Sequence, residues 1–162
     1  MELYISFAAM AISLVSVIVS VAIYLIGIRR DKKQDTLDTF NKLQEQVFDK
    51  LNLITYAQID DICQKVETKN LDEESNKRYY ELRGYLARLE HFALGVNTGI
   101  YDARTAERAG TGYLTSLYKK LQPMIELQER RGNKYNTKKV EYYKEFRILT
   151  EKISVYEKNN DK

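Results

Sequence analysis

Residues 3–28 read LYISFAAMAISLVSVIVSVAIYLIGI, an unbroken apolar run with no charge, and RRDKK follows at 29–33. As an α-helix rising about 1.5 Å per residue, this run reaches roughly 39 Å, enough to cross a hydrocarbon core of about 30 Å with some tilt. A cleaved signal peptide has the opposite order, with basic residues first, then a shorter apolar core of about 7–15 residues. The rest of the chain is too short and too polar to enclose such a helix on all sides. The expectation is a retained transmembrane helix over 3–28, a basic juxtamembrane segment over 29–34, and a soluble part over 35–158.

Charge sets the orientation. Arg29, Arg30, Lys32 and Lys33 crowd the C-terminal flank of the run, whereas its N-terminal flank carries no Lys or Arg. The positive-inside tendency places the basic end in the cytoplasm, so everything after Gln34 is expected there. In a bacterium the membrane would be the inner one, with the lipid bilayer as the first partner. The one cysteine, Cys63, has no partner in the chain and fits a reducing compartment.

Within the run, Ser6, Ala9, Ser13, Ser16, Ser20 and Gly27 recur at steps of three, four and seven and share one helical face. Three readings stay open. Small faces let helices approach closely in lipid, which makes the stripe a self-association seam and the protein a homo-oligomer. In a ring of several copies the same hydroxyls would line a narrow polar conduit. Alternatively, each serine bonds back to its own helix carbonyl four residues earlier.

The soluble part is rich in Leu, Tyr, Lys and Glu, has a single proline, and shows no hairpin dipeptides between alternating strands. It reads as an all-α bundle of about four helices. The first is expected to continue from the membrane to about Glu67, with Leu37, Phe40, Leu43, Val47, Leu51 and Ile54 on one side. A second begins at the acidic cluster Asp72–Glu74 and runs to about Val96, turning Tyr79, Leu82, Leu86, Leu89, Phe92 and Ala93 inward. Asn97, Thr98 and Gly99 end it. Asp102 caps a third, carrying Ala106, Ala109, Tyr113, Leu117 and Leu121; Gly110 and Gly112 weaken it, and Pro123 kinks it or ends its regular part. Gly132 and Asn133 mark a loop. The last helix starts at Asn136 or Thr137 and faces inward with Val140, Tyr143, Phe146, Leu149, Ile153 and Tyr156. Residues Lys158–Lys162 are polar and expected to fray.

Chemistry is sparse. His91 is the only imidazole and Cys63 the only thiol, which argues against a metal site and against a nucleophile paired with a base. No glycine-rich phosphate loop or dinucleotide fingerprint is present, so neither a cofactor nor a catalytic set is expected. Binding is the better reading of the polar residues. Arg88, Glu90 and His91 interrupt an apolar face and are candidate ligand contacts, although Glu90 also suits an ion pair with Arg88 or Arg104. Arg104 and Arg108 lie one turn apart and would suit an anion. From Lys119 to Lys139 seven basic residues stand against two acidic ones, and Arg130, Arg131 and Lys134 are the candidate anion contacts within it. A nucleotide-type ligand, a cytosolic protein or lipid head groups would all suit such residues. The case for nucleic acid is weak, because the thirteen tyrosines mostly fall on faces expected to be buried.

YLARLEHFALGVNTGIYD over 85–102, GYLTSLYKKLQPMIE over 112–126 and YYKEFRILTEKI over 142–153 carry a resemblance. They resemble a family of short bacterial membrane-anchored helical proteins that share a domain of unknown function. The resemblance implies one N-terminal span, a helical cytosolic domain and no particular activity. By architectural analogy, some small membrane proteins of this layout are effectors in bacterial antiphage systems, including systems that sense cyclic oligonucleotides. The sequence therefore points to a non-enzymatic, membrane-tethered, self-associating sensor or interaction module. The alternatives are a ligand-gated, pore-forming or membrane-disrupting effector and, from a different class, a hydrolase built on His91.

Overall fold

The computed structural model describes residues 2–134 and 141–160, and these form helices joined by short turns and loops, with no strand among them. The N-terminal run forms the first part of a single rod: α1 (Glu2–Leu43), a π-helical turn (Gln44–Phe48) and α2 (Asp49–Asn52). From Ile12 on, its apolar part is uncovered by the rest of the chain. An 18-residue window there has mean hydropathy 2.2, and none of it is buried. The second half docks, with Phe40, Leu43, Val47, Phe48 and Leu51 all buried. Leu37, expected on the same seam, remains exposed.

The rod stops well before Glu67, contrary to the expectation from periodicity. Leu53 and Ile54 turn the chain, and Thr55 takes an extended conformation that starts α3 (Tyr56–Glu67). A capping box causes the break: Thr55 Oγ1 accepts from the Gln58 N–H at 3.3 Å, and Gln58 Oε1 accepts from the Thr55 N–H at 2.8 Å. The Leu51 carbonyl at the rod's end accepts from the Ile54 N–H at 3.1 Å and also from Lys120 Nζ at 2.6 Å, which ties α6 to the break.

Next comes α4 (Glu73–Asn97), which starts where Asp72 accepts from the Ser75 N–H at 2.7 Å and ends at Thr98 and Gly99, the latter with φ +80°. All six residues expected to face inward from it are buried. Asp102 caps α5 (Ala103–Gly110), its carboxylate accepting from the Thr105 N–H at 2.8 Å.

The expected third helix is in fact two. Gly112 has φ +70°, a conformation that no continuing helix can use, and it separates α5 from α6 (Tyr113–Asn133). Pro123 does not end α6. It is buried beside Leu121, Met124 and Ile125, and their packing offsets the lost backbone hydrogen bond. The loop expected at Gly132 and Asn133 is likewise still helix.

Asn136, Thr137 and Val140 lie outside the described residues. Residues 141–143 form a turn, Tyr143 has φ +56°, and α7 (Lys144–Asn160) begins only after it. The reason for this late start is a cap from another helix, described below. Phe146, Leu149 and Ile153 of α7 are fully buried, each worth about 1.5–3 kcal/mol in transfer terms. Helix α4 is packed against α7, α3 against α6, and α5 against the rod, around one core.

Candidate functional site

The rod and α4 leave an open groove of about 530 Å³ between them. Lys42, Leu43 and Gln46 line it from the rod, and Arg88, His91 and Phe92 line it from α4. The polar residues on each wall lie one turn apart, so each helix presents one edge to the opening. Arg88 Nη1 donates to Gln46 Oε1 at 2.9 Å across the groove and ties its walls together. Gln46 belongs to the π-helical turn, a feature that often marks functional sites.

The floor is apolar and aromatic. Phe92 is buried, packs edge-on to Phe40 at 6.0 Å between centroids, and stacks on Tyr101 at 5.5 Å. Tyr101 lines the groove with the Cδ2–Cε2 edge of its ring against Gly95, where a Cβ would overlap it. Two cations, Lys42 and Arg88, and no carboxylate line the opening. That combination suits an anion carried on a flat or apolar body.

The residues singled out from sequence fall into four places. Arg88 and His91 share the groove, both exposed. Glu90 points to α7 instead: its carboxylate accepts from the N–H groups of Glu145 at 3.1 Å and Phe146 at 2.8 Å and serves as that helix's cap. Neither Arg88 nor Arg104 pairs with it. Arg104 and Arg108 are exposed on α5 and do not line the groove.

Arg130, Arg131 and Lys134 do come together, joined by Lys69, around a second cleft of about 350 Å³. Two of these cations already have partners. Arg130 Nε lies 2.9 Å from Glu67 with a longer contact to Glu126 at 3.6 Å, and Arg131 donates to the Tyr79 hydroxyl at 3.2 Å. An anion there would compete with existing contacts, so the groove is the better candidate.

Lys42, Gln46, Tyr101 and Lys69 were not anticipated. Lys42 and Gln46, one turn apart on the rod, carried a weak signal; Lys69 and Tyr101 are placed only by tertiary packing.

Cys63 and His91 are on opposite terms with solvent. His91 is exposed, whereas Cys63 is buried with Sγ 3.9 Å from Met124 Sδ, and burial pushes its thiol up to about 12. Such a thiol is not a nucleophile near neutral pH. Among the described residues, no group of three or more His, Cys, Asp or Glu is placed to hold a metal ion.

On the apolar stripe, the side chains of Ser6 and Ala9 lie outside the described residues. Ser13, Ser16 and Ser20 are exposed, and Gly27 is half-exposed. Ser16 Oγ donates to the Ile12 carbonyl at 2.9 Å and Ser20 Oγ to the Ser16 carbonyl at 2.8 Å. Each hydroxyl keeps its acceptor lone pairs free of that bond.

These features define an all-α protein with one helix near its N-terminus that is long and apolar enough to cross a membrane, carrying a helical bundle. The chain belongs to the family described as domain of unknown function (DUF4760), which matches residues 10–153. The match starts inside the apolar run and ends in α7, so the family's domain includes both rod and bundle. No curated protein and no solved structure matches the chain.

Proposed function

We propose that this protein is a non-enzymatic sensor or interaction module, tethered by one span to the bacterial inner membrane with its bundle in the cytoplasm. It self-associates through the small-residue face of the span. Its groove takes an anionic ligand with a flat or apolar body, a nucleotide-type molecule being the chemical class that fits best. The observation that carries this reading is the rod Glu2–Asn52, one helical body that supplies both the apolar run and one wall of the groove. A ligand that alters the Arg88–Gln46 tie would bear directly on the helix that enters the membrane. The coupling then needs no separate relay.

Cysteine crosslinking of the full chain in membranes tests the seam. Crosslinks are expected at Ser13→Cys and Ser20→Cys and not at Ile18→Cys, and Ser13→Leu plus Ser20→Leu should abolish the oligomer. Oligomers unchanged by the leucine pair would refute the seam. Loss of membrane potential on expression, dependent on the serine face, would favour the pore-forming alternative instead.

A further inference from the structure

The loop joining α4 to α5 lies beside the basic end of the apolar run. Lys32 Nζ stands 4.0 Å from the position that a Cβ on Gly99 would occupy. One turn further along the rod, the Asp102 N–H donates to Thr36 Oγ1 at 2.8 Å. Residues 98–102 are therefore level with rod positions 32–36. Lys32 is only four residues past Ile28, about 6 Å along the axis. A membrane surface that meets the rod at Arg29 and Arg30 consequently runs close under this loop.

Ile100 is the exposed tip of that loop, 68% accessible. A single exposed isoleucine is ordinary on a protein surface, and its position is what distinguishes it. Lys32, beside Gly99, and Lys33, which acts on Asp102, belong to the basic segment 29–33 next to the loop, and Arg29, Arg30, Lys33 and Arg104 are all exposed. Asp31 and Asp35 on this part of the rod and the capping Asp102 in the loop are its acidic residues. The Asp102 carboxyl is held below its usual range first by the Thr105 hydroxyl and also by Lys33 and Lys32, which agrees with the proximity. An apolar tip beside an exposed basic segment is a composition that partitions into an anionic head-group layer.

We propose that the α4–α5 loop is a second membrane contact, with Ile100 inserted among the head groups of the anionic leaflet that the rod enters. The bundle is then held at two points and cannot swing freely about the rod. Groove occupancy would act against this fixed base. The inference rests on the reading of 3–28 as a span.

The test uses the full chain in phosphatidylcholine–phosphatidylglycerol vesicles, labelled singly with an environment-sensitive fluorophore at Ile100→Cys, Leu53→Cys or Ile18→Cys. Buried Cys63 stays unlabelled. Leu53 is 84% exposed and lies at the far end of the rod, about 32 Å along the axis from Lys32. The expected result is a blue-shifted probe at 100, quenched by head-group nitroxide lipid, a solvent-like probe at 53, and a probe at 18 quenched by deep acyl-chain nitroxide. A probe at 100 as solvent-like as that at 53, with 18 still quenched, overturns the loop contact alone. A blue shift at 100 without lipid quenching assigns the loop to a protein contact and also overturns it. If 18 is not quenched, the span itself fails and the loop contact fails with it.

Discussion

The Thr36 hydroxyl joins two backbones: it donates to the Lys32 carbonyl at 2.7 Å and accepts from the Asp102 N–H at 2.8 Å. Thr36 is completely buried, so the contact fastens the α4–α5 loop to the rod just past its basic segment. Thr36→Val preserves shape and removes the acceptor. Leaving the Asp102 N–H without it should lower stability by about 1–3 kcal/mol, whereas Thr36→Ser, which keeps the hydroxyl, should lose about 1 kcal/mol for the methyl. Denaturant unfolding of the full chain in detergent would measure both. A loss in Thr36→Ser with none in Thr36→Val would show that packing, not the hydrogen bond, matters there.

Glu90 is expected to matter for α7 rather than for any ligand. Its carboxylate caps two N–H groups, and Asn97 Nδ2 adds a bond to the Glu145 carbonyl at 3.0 Å, so α4 holds the start of α7 from two positions. Glu90→Ala should destabilise by about 1–2 kcal/mol, with Glu90→Gln intermediate, since it retains an acceptor and loses the charge facing a helix N-terminus. Hydrogen exchange should rise first in α7. Unchanged protection there, with ligand binding lost, would return Glu90 to the binding residues.

The sequence carried the architecture more clearly than the site. The apolar run, the acidic start of α4, the cap at Asp102 and the inward face of α4 are local signals, and each appears where the pattern placed it; of the face expected on the last helix, Phe146, Leu149 and Ile153 are buried, whereas Tyr143 precedes α7 and Tyr156 is half-buried. The end of the rod was also written locally, as Thr55 and Gln58 in capping-box spacing. The expected helix ran across it because the seam of Leu37, Phe40, Leu43, Val47, Leu51 and Ile54 keeps its three- and four-residue steps right up to the break. Gly112 was read as a weak point within a helix, but its positive φ makes it a boundary. The groove was half legible: Arg88 and His91 stand out on α4, but Lys42 and Gln46 reach it from the rod, and the Arg88–Gln46 pair is separated by 42 positions. Glu90 misled for the same reason, since its partners lie 55 and 56 residues on.

Cys63 gives a pH-dependent stability with a defined sign. Its thiol is raised from 9.0 to about 12, first by burial and then by Asp60, with Arg130 opposing. The folded protein therefore holds this proton more tightly than the unfolded chain. The stabilisation is fully present below pH 9.0 and is lost as pH rises through the folded value. Above pH 9.0, the urea midpoint of the wild type should fall more steeply than that of Cys63→Ala, the tyrosines being common to both. At pH 8, maleimide should label Cys63 only after unfolding. Rapid labelling of the native chain would contradict its burial.

The π-helical turn predicts an asymmetry between deletions. A π turn holds one residue more than an α turn, and here it brings the adjacent Val47 and Phe48 both into the core, Phe48 lying 5.3 Å from Phe40 and 4.9 Å from Tyr113 between ring centroids. Deleting exposed Glu45 lets the turn relax to α-helix while the flanking segments keep their relative rotation, and a loss of about 1 kcal/mol is expected. Deleting exposed Asn41, in regular helix, rotates everything before it by about 100° relative to the bundle. Thr36 would leave Asp102 and Phe40 would leave Phe92, so this variant should unfold at far lower denaturant. The Glu45 deletion should also shift Gln46 from Arg88 and weaken ligand binding in the groove while the bundle stays folded. If the two deletions are equally damaging, the turn is a rigid part of the core and does not relax to α-helix.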